Sequence, residues 1–144
     1  MEIRLLEKKD LSSLLALYVQ LDEKNKELNV ENVKDIWEKI EKAENIFYIG
    51  ALDGEKVVST CYLAIIPNLT YGKPIGFIEN VVTDENYRKR GLGKSVINYA
   101  LQIAKEHNCY KAILQSSSYR IQAHEFYKNL GFSDTTKKAF DYRF

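Results

Sequence analysis

The stretch between Ile75 and Ser116 restricts the fold more than any other part of the chain. Ile75–Thr83 reads as a strand, residues 92–107 as a helix and residues 110–116 as a second strand. Within the helix Leu92, Val96, Ala100 and Ala104 recur every four residues, with Ile97 and Leu101 beside them, and Asn108 can end it. A helix between two strands carries the chain back to its starting end. The two strands must then run parallel, joined by a right-handed crossover. The turn into the helix, Arg88-Lys89-Arg90-Gly91-Leu92-Gly93-Lys94, is basic and glycine-rich. It aims bare backbone N–H groups and the positive end of a helix at one point, which suits a phosphate.

The remaining elements surround this unit. Ile3 and Leu5 alternate as a short first strand. Asp10 can cap a helix that carries Leu11, Leu14, Leu15, Tyr18 and Leu21 on one face. Asn29 or Asn32 opens a second helix with Val33, Ile36, Trp37 and Ile40 inward. Residues 46–52 and Lys56–Ile66 form a hairpin around Asp53-Gly54. A last helix over residues 120–130 stops at Gly131. Residues 132–133 and 139–144 are expected as a final antiparallel pair, with Phe140, Tyr142 and Phe144 alternating. The expected fold is α+β, an α/β-mixed, mostly antiparallel twisted sheet with one parallel strand pair and helices on both faces.

At 144 residues the chain is expected to form a single domain, 1–144, with a substantial core. Ten tyrosines argue against disorder, and a net charge of +1 gives no global pull toward nucleic acid or membrane. No window approaches a membrane span, and the first residues have no apolar run suited to a signal peptide. Cys61 and Cys109 lie too far apart for a metal-type pair, so both are expected as buried thiols and no metal is expected. Asn68-Leu69-Thr70 is a formal glycosylation sequon that goes unused in a cytoplasmic protein, the expected location.

Two known phosphate motifs fail against the glycine turn. Gly93-Lys94-Ser95 imitates the end of an ATP-binding loop, but Arg88 stands where its first glycine belongs. A dinucleotide fingerprint needs a third glycine where Val96 stands. Glu79 lies upstream on the strand, and simple alternation places it on one face with Phe77 and Val81. A carboxylate on an apolar face needs a reason: an ion pair, a ligand or catalysis.

Arg88-x-x-Gly91-x-Gly93 behind a Glu-bearing strand resembles the acyl-CoA loop of the GNAT superfamily of N-acetyltransferases. A second block, Ala123-His124-Glu125-Phe126-Tyr127-Lys128-Asn129-Leu130-Gly131-Phe132, is similar to that superfamily's Ala-x-x-Phe-Tyr-x-x-x-Gly-Phe signature. The resemblance implies a GNAT-like fold in which the parallel strands splay around a pantetheine arm. It implies acetyl-CoA as cosubstrate, along the backbone of Val81, Val82 and Thr83. The pyrophosphate would lie over Arg88, Lys89, Arg90, Gly91, Leu92, Gly93, Lys94 and Ser95, with Ser117, Arg120 and Tyr127 as further contacts. It implies Glu79 as base for the amine and Tyr127 as proton donor to the departing thiolate, with His124 a weaker alternative base. Arg120 stands where many relatives carry an asparagine that touches the pantetheine arm, so a phosphate or an acidic substrate is its other reading.

The implied reaction is direct acetyl transfer from acetyl-CoA to a primary amine in a ternary complex. Residues 78–114 are also similar to glucosamine-6-phosphate N-acetyltransferases, through Glu79-Asn80-Val81-Val82 and His107-Asn108-Cys109-Tyr110-Lys111. Amino sugars, polyamines, amino acids, aminoglycosides and protein amines (lysine or N-terminal) stay open as acceptors. The rival reading is a non-catalytic acyl-CoA-binding module, which needs neither Glu79 nor Tyr127. A nucleic-acid binder built on Arg88-Lys89-Arg90 is opposed by the near-neutral total charge. The aromatic C-terminal strand is compatible with a homodimer.

Overall fold

The computed structural model describes Met1–Phe144. The strands are β1 (Glu2–Leu5), β2 (Ile46–Asp53), β3 (Lys56–Ile66), β4 (Ile75–Thr83) and β5 (Lys111–Leu114). The helices are α1 (Leu11–Leu21), α2 (Val30–Lys42), α3 (Leu92–Glu106) and α4 (Ile121–Asn129). The sheet order is β1-β2-β3-β4-β5, antiparallel from β1 to β4 and parallel for β4 and β5. The crossover read from the sequence is therefore present. No helix is long and apolar enough to cross a membrane.

The chain forms two compact units, Met1–Ile113 and Leu114–Phe144. In the first, local signals act as the sequence suggests. Asn29 caps α2 through a reciprocal pair with Asn32, each side-chain oxygen accepting the other's backbone N–H at 3.0 Å. Gly54 takes the positive φ of the β2–β3 turn, and Asn108, at φ +62, follows α3. Trp37 is buried with Leu14, Leu17, Leu52 and Val82. α3 packs on the sheet through Val96, Ile97 and Ala100, all with no exposed surface.

Several expectations are corrected. The Asp10 carboxylate does not cap α1. It accepts the Glu7 N–H at 2.8 Å and a two-pronged bond from Arg4 at 2.7 and 3.0 Å, because a full guanidinium competes better than a helix end for a buried carboxylate. Ile36, expected inward, is 61% exposed, since it falls at the edge of the α2 stripe. Cys61 is buried as expected, but Cys109 is only partly so, lying just beyond α3 where the chain turns toward β5.

The second unit contains the end of β5, α4 and a tail without regular structure. The expected pair of strands, 132–133 and 139–144, is absent. Phe140, Tyr142 and Phe144 are 89%, 84% and fully exposed, respectively. Alternation tells which face a side chain would take, but a strand forms only where a neighbouring backbone completes the ladder. Gly131 does end α4, with φ +101 and its N–H on the Lys128 carbonyl.

Candidate active site

Strand β4 carries an extra residue. Thr60 faces Val82 and Tyr62 faces Glu79, so two steps on β3 oppose three on β4. Asn80 absorbs the excess at φ +53, a left-handed conformation that asparagine tolerates better than most residues. The bulge breaks the alternation read from the sequence, which placed Glu79 and Val81 on one face. Ile78 opposes Leu63 on the α3 side, whereas Val82 joins the Leu14–Trp37 cluster on the other. Val82 is buried there.

Glu79 sits opposite Tyr62, with which it interacts electrostatically. Burial raises the Glu79 pKa above the ordinary carboxylate value of 4.5. Tyr62 stacks on Tyr48 at 4.8 Å between ring centroids, and Tyr48 meets Trp37 edge-on at 5.8 Å. Burial pushes the Tyr48 hydroxyl up to about 12. The carboxylate thus stands on an aromatic wall, where its neutral form is favoured over what water would allow.

The glycine turn is built from the end of β4 outward. Asp84 is 3% exposed and accepts the Asn86 N–H at 2.9 Å and the Lys56 ammonium at 2.8 Å. The Lys56 bond is the largest of the effects that hold the Asp84 pKa below 3.8. Glu85 N–H donates to the Gln20 side chain, and the Tyr87 hydroxyl donates to Asp53 at 2.8 Å. Lys56 and Arg90 both lie 5.0 Å from the Tyr87 ring centroid. Arg88 Nε donates to the Thr83 carbonyl, and the Thr83 hydroxyl pairs with Ser59. These contacts fix the turn before the helix begins.

Lys89 (φ +61) and Gly91 (φ +77) are left-handed, and Gly91 is the N-cap of α3 with no side chain capping the helix. Leu92 is buried, while Arg88, Lys89, Arg90 and Gly91 are exposed or partly so. The Ser95 hydroxyl donates back to the Gly91 carbonyl at 3.0 Å. The N–H groups at the start of α3 are thus left to a ligand, with basic side chains around them. Alternating left-handed residues at a helix start make an anion-binding concavity, which fits a pyrophosphate.

In the second unit Arg120 is the N-cap residue of α4 and Tyr127 lies on that helix. Phe126 and Phe132 contact the Tyr127 ring at 5.3 and 6.3 Å. His124 Nε2 lies 2.9 Å from the Ser117 carbonyl. A carbonyl only accepts, so Nε2 carries the proton and Nδ1 is the basic nitrogen.

Sequence reasoning missed the Asn80 bulge and the meeting of Tyr48 and Tyr62 with Tyr18, which it places only on the apolar face of α1. Asn80 had a signal: asparagine is depleted in strand interiors, and a polar left-handed former there marks a bulge. The tyrosines had none, because their meeting depends on strand register.

Residues 12–132 match the Acetyltransferase (GNAT) family. A relative named glucosamine 6-phosphate N-acetyltransferase, from Trypanosoma brucei brucei, is 36% identical over 135 residues, covering 92% of this chain and 88% of its own. A solved structure from Agrobacterium tumefaciens str. C58 superposes with a TM-score of 0.93 at 34% identity, over 99% of each chain. The crystal structure of glucosamine-6-phosphate N-acetyltransferase from Arabidopsis thaliana superposes at 0.82 with 26% identity, over 98% of this chain and 97% of the other.

Proposed function

Because the chain belongs to the GNAT family of acetyl-CoA-dependent N-acetyltransferases, we propose that it moves the acetyl group of acetyl-CoA onto a primary amine by direct attack in a ternary complex. One acetyltransferase domain spans 1–144. The observation that carries this reading is the uncapped start of α3 behind the left-handed Lys89 and Gly91. N–H groups from Lys89 to Lys94 hold the pyrophosphate, with charge from Arg88, Lys89, Arg90 and Lys94. The backbone of Val81 and Thr83 bonds the pantetheine arm as an added strand would.

An amine attacks only when neutral. For a lysine-like amine of pKa about 10.4, neutralisation at pH 7 costs about 4.6 kcal/mol. Glu79 takes this proton, directly or through one water; its raised pKa brings it nearer to the working pH. The Val81 N–H, next to the Asn80 bulge, donates to the thioester oxygen as it gains negative charge. The C–S bond breaks as the C–N bond forms, the Tyr127 hydroxyl gives its proton to the leaving thiolate, and the extra proton on the acylated nitrogen passes through solvent to restore the phenol.

Titration calorimetry with acetyl-CoA tests the cradle, and thiol release over an amine panel tests the transfer. Heat without thiol release from any amine would support an acyl-CoA-binding module instead. The Trypanosoma relative's name favours glucosamine 6-phosphate as a second reading of the acceptor. Both cysteines are free thiols, in keeping with a cytoplasmic protein. The exposed aromatic tail supports a homodimer, which light scattering on residues 1–144 against a chain ending at Gly131 would test.

A further inference from the structure

On the sheet face opposite α3, a cavity of about 280 Å³ lies among α1, α2 and the β4 bulge. Its size is just below the range of small-molecule pockets, about 300–1,000 Å³. Leu14, Leu15, Leu21, Val33, Trp37 and Ile40 form apolar walls, and the exposed Ile36 and Leu28 stand at its edge. Its polar lining consists of Tyr18, Asn25, Tyr48 and Asn80, with no lysine, arginine, aspartate or glutamate. Asn25 is already engaged, donating to the Tyr18 carbonyl at 3.0 Å.

The Tyr18 hydroxyl is buried and has no hydrogen-bond partner. Asn80 is close enough to affect it, but not in bonding geometry. Burial keeps this phenol protonated, so it stays an unused donor and acceptor. An orphaned buried hydroxyl in a cavity large enough for a ligand points to a partner that is absent from the protein itself. Asn80 directly follows Glu79 in the chain, and Tyr48, in the cavity wall, stacks on the Tyr62 that opposes Glu79.

We propose that this cavity is the acceptor pocket, and that the acceptor is a small primary amine on an uncharged, mainly apolar body, alkyl or aryl, with a neutral polar group that bonds the Tyr18 hydroxyl. The proposal rests on the acetyl-transfer reading of Glu79. The lining selects against a phosphorylated amino sugar. A phosphate dianion would enter apolar walls with no cation to meet it, which is strongly unfavourable. A sugar would leave most of its hydroxyls against leucine and isoleucine. An alkyl or aryl amine instead has a single charged group to place, and Glu79, outside the lining but next in the chain to the lining Asn80, is the carboxylate proposed to receive it.

The chain's single tryptophan, Trp37, forms part of the cavity and reports its occupancy. Tyramine, 2-phenylethylamine, hexylamine and glucosamine 6-phosphate are titrated into the full chain with Trp37 emission as readout. Thiol release from acetyl-CoA is followed with the same amines. The expected result is a saturable Trp37 response to the three apolar amines, and a kcat/KM for them at least about tenfold above that for glucosamine 6-phosphate. Tyr18→Phe should raise the KM for tyramine about three- to tenfold, leave that for 2-phenylethylamine unchanged, and melt no lower than the parent. A merely structural hydroxyl would lower the melting temperature and affect both amines alike. Turnover of glucosamine 6-phosphate above every apolar amine, with Trp37 silent, would overturn the pocket assignment and leave acetyl transfer standing. A saturable Trp37 response without thiol release from any amine would uphold an apolar-amine site and overturn the transfer reading.

Discussion

On the α3 face of the sheet, small residues bring helix and strands into close contact. A Cβ built on Gly76 would meet Leu63 at 3.1 Å and the Ala104 Cβ at 3.5 Å. The Cys61 thiol lies 3.5 Å from the Val96 carbonyl, and burial pushes its pKa up to about 12, so it is inert. The α1–α2 face differs in composition and in packing. Tyrosines join the aliphatics, the strand bulges, a carboxylate is partly buried, and a cavity lies beneath the helices. Both faces bury apolar side chains, but the α3 face is closed. The other keeps polar groups under strain and empty space, as functional faces do.

The two faces should respond oppositely to substitution. Ile97→Ala, which cuts into the closed face, should cost about 2–5 kcal/mol in denaturant unfolding. A loss below about 1 kcal/mol would mean that the closed face is looser than its packing indicates. On the open face Glu79→Gln should lower turnover about 10²-fold or more with acetyl-CoA affinity nearly intact. Its stability effect has the opposite sign. The raised pKa means that folding penalises the ionised form, a cost present above the unfolded value near 4.5. Glu79→Gln should therefore make the protein more stable at pH 7 as it becomes less active. In the parent, kcat/KM should rise with pH through the raised Glu79 pKa, and the variant should lose that limb.

A smaller effect is expected at the glycine turn. Gly91→Ala meets no atom within 4 Å but must hold φ +77, which costs an L-residue about 1–2 kcal/mol. Calorimetry should find weaker acetyl-CoA binding with kcat for saturating cosubstrate little changed. Smallest is the acid limb of stability. Burial raises the Asp10 pKa, but the Arg4 bond, the Glu7 N–H and nearby positive charge together outweigh it and leave it below 3.8. Its contribution is present above 3.8 and is lost as pH falls through the lowered value. Asp10→Asn should flatten unfolding free energy against pH in that window; an unchanged slope would assign acid sensitivity elsewhere.

Both turn glycines, the basic run and the Glu79 position were legible from the chain because each depends on neighbours a few residues away. The Asn29–Asn32 cap, the Asp53-Gly54 turn, the α3 repeat and the Gly131 stop are equally local: a positive φ, a helix end or a period of 3.6 is set within one or two turns of backbone. Tertiary structure alone decided that Tyr62 faces Glu79 across a register with one residue too many. It also gathered Tyr18, Tyr48 and Asn80 around one cavity, and left the alternating tail of Phe140, Tyr142 and Phe144 without a strand to join. Those outcomes depend on where distant backbones complete their hydrogen bonds, and spacing along one segment carries no record of that.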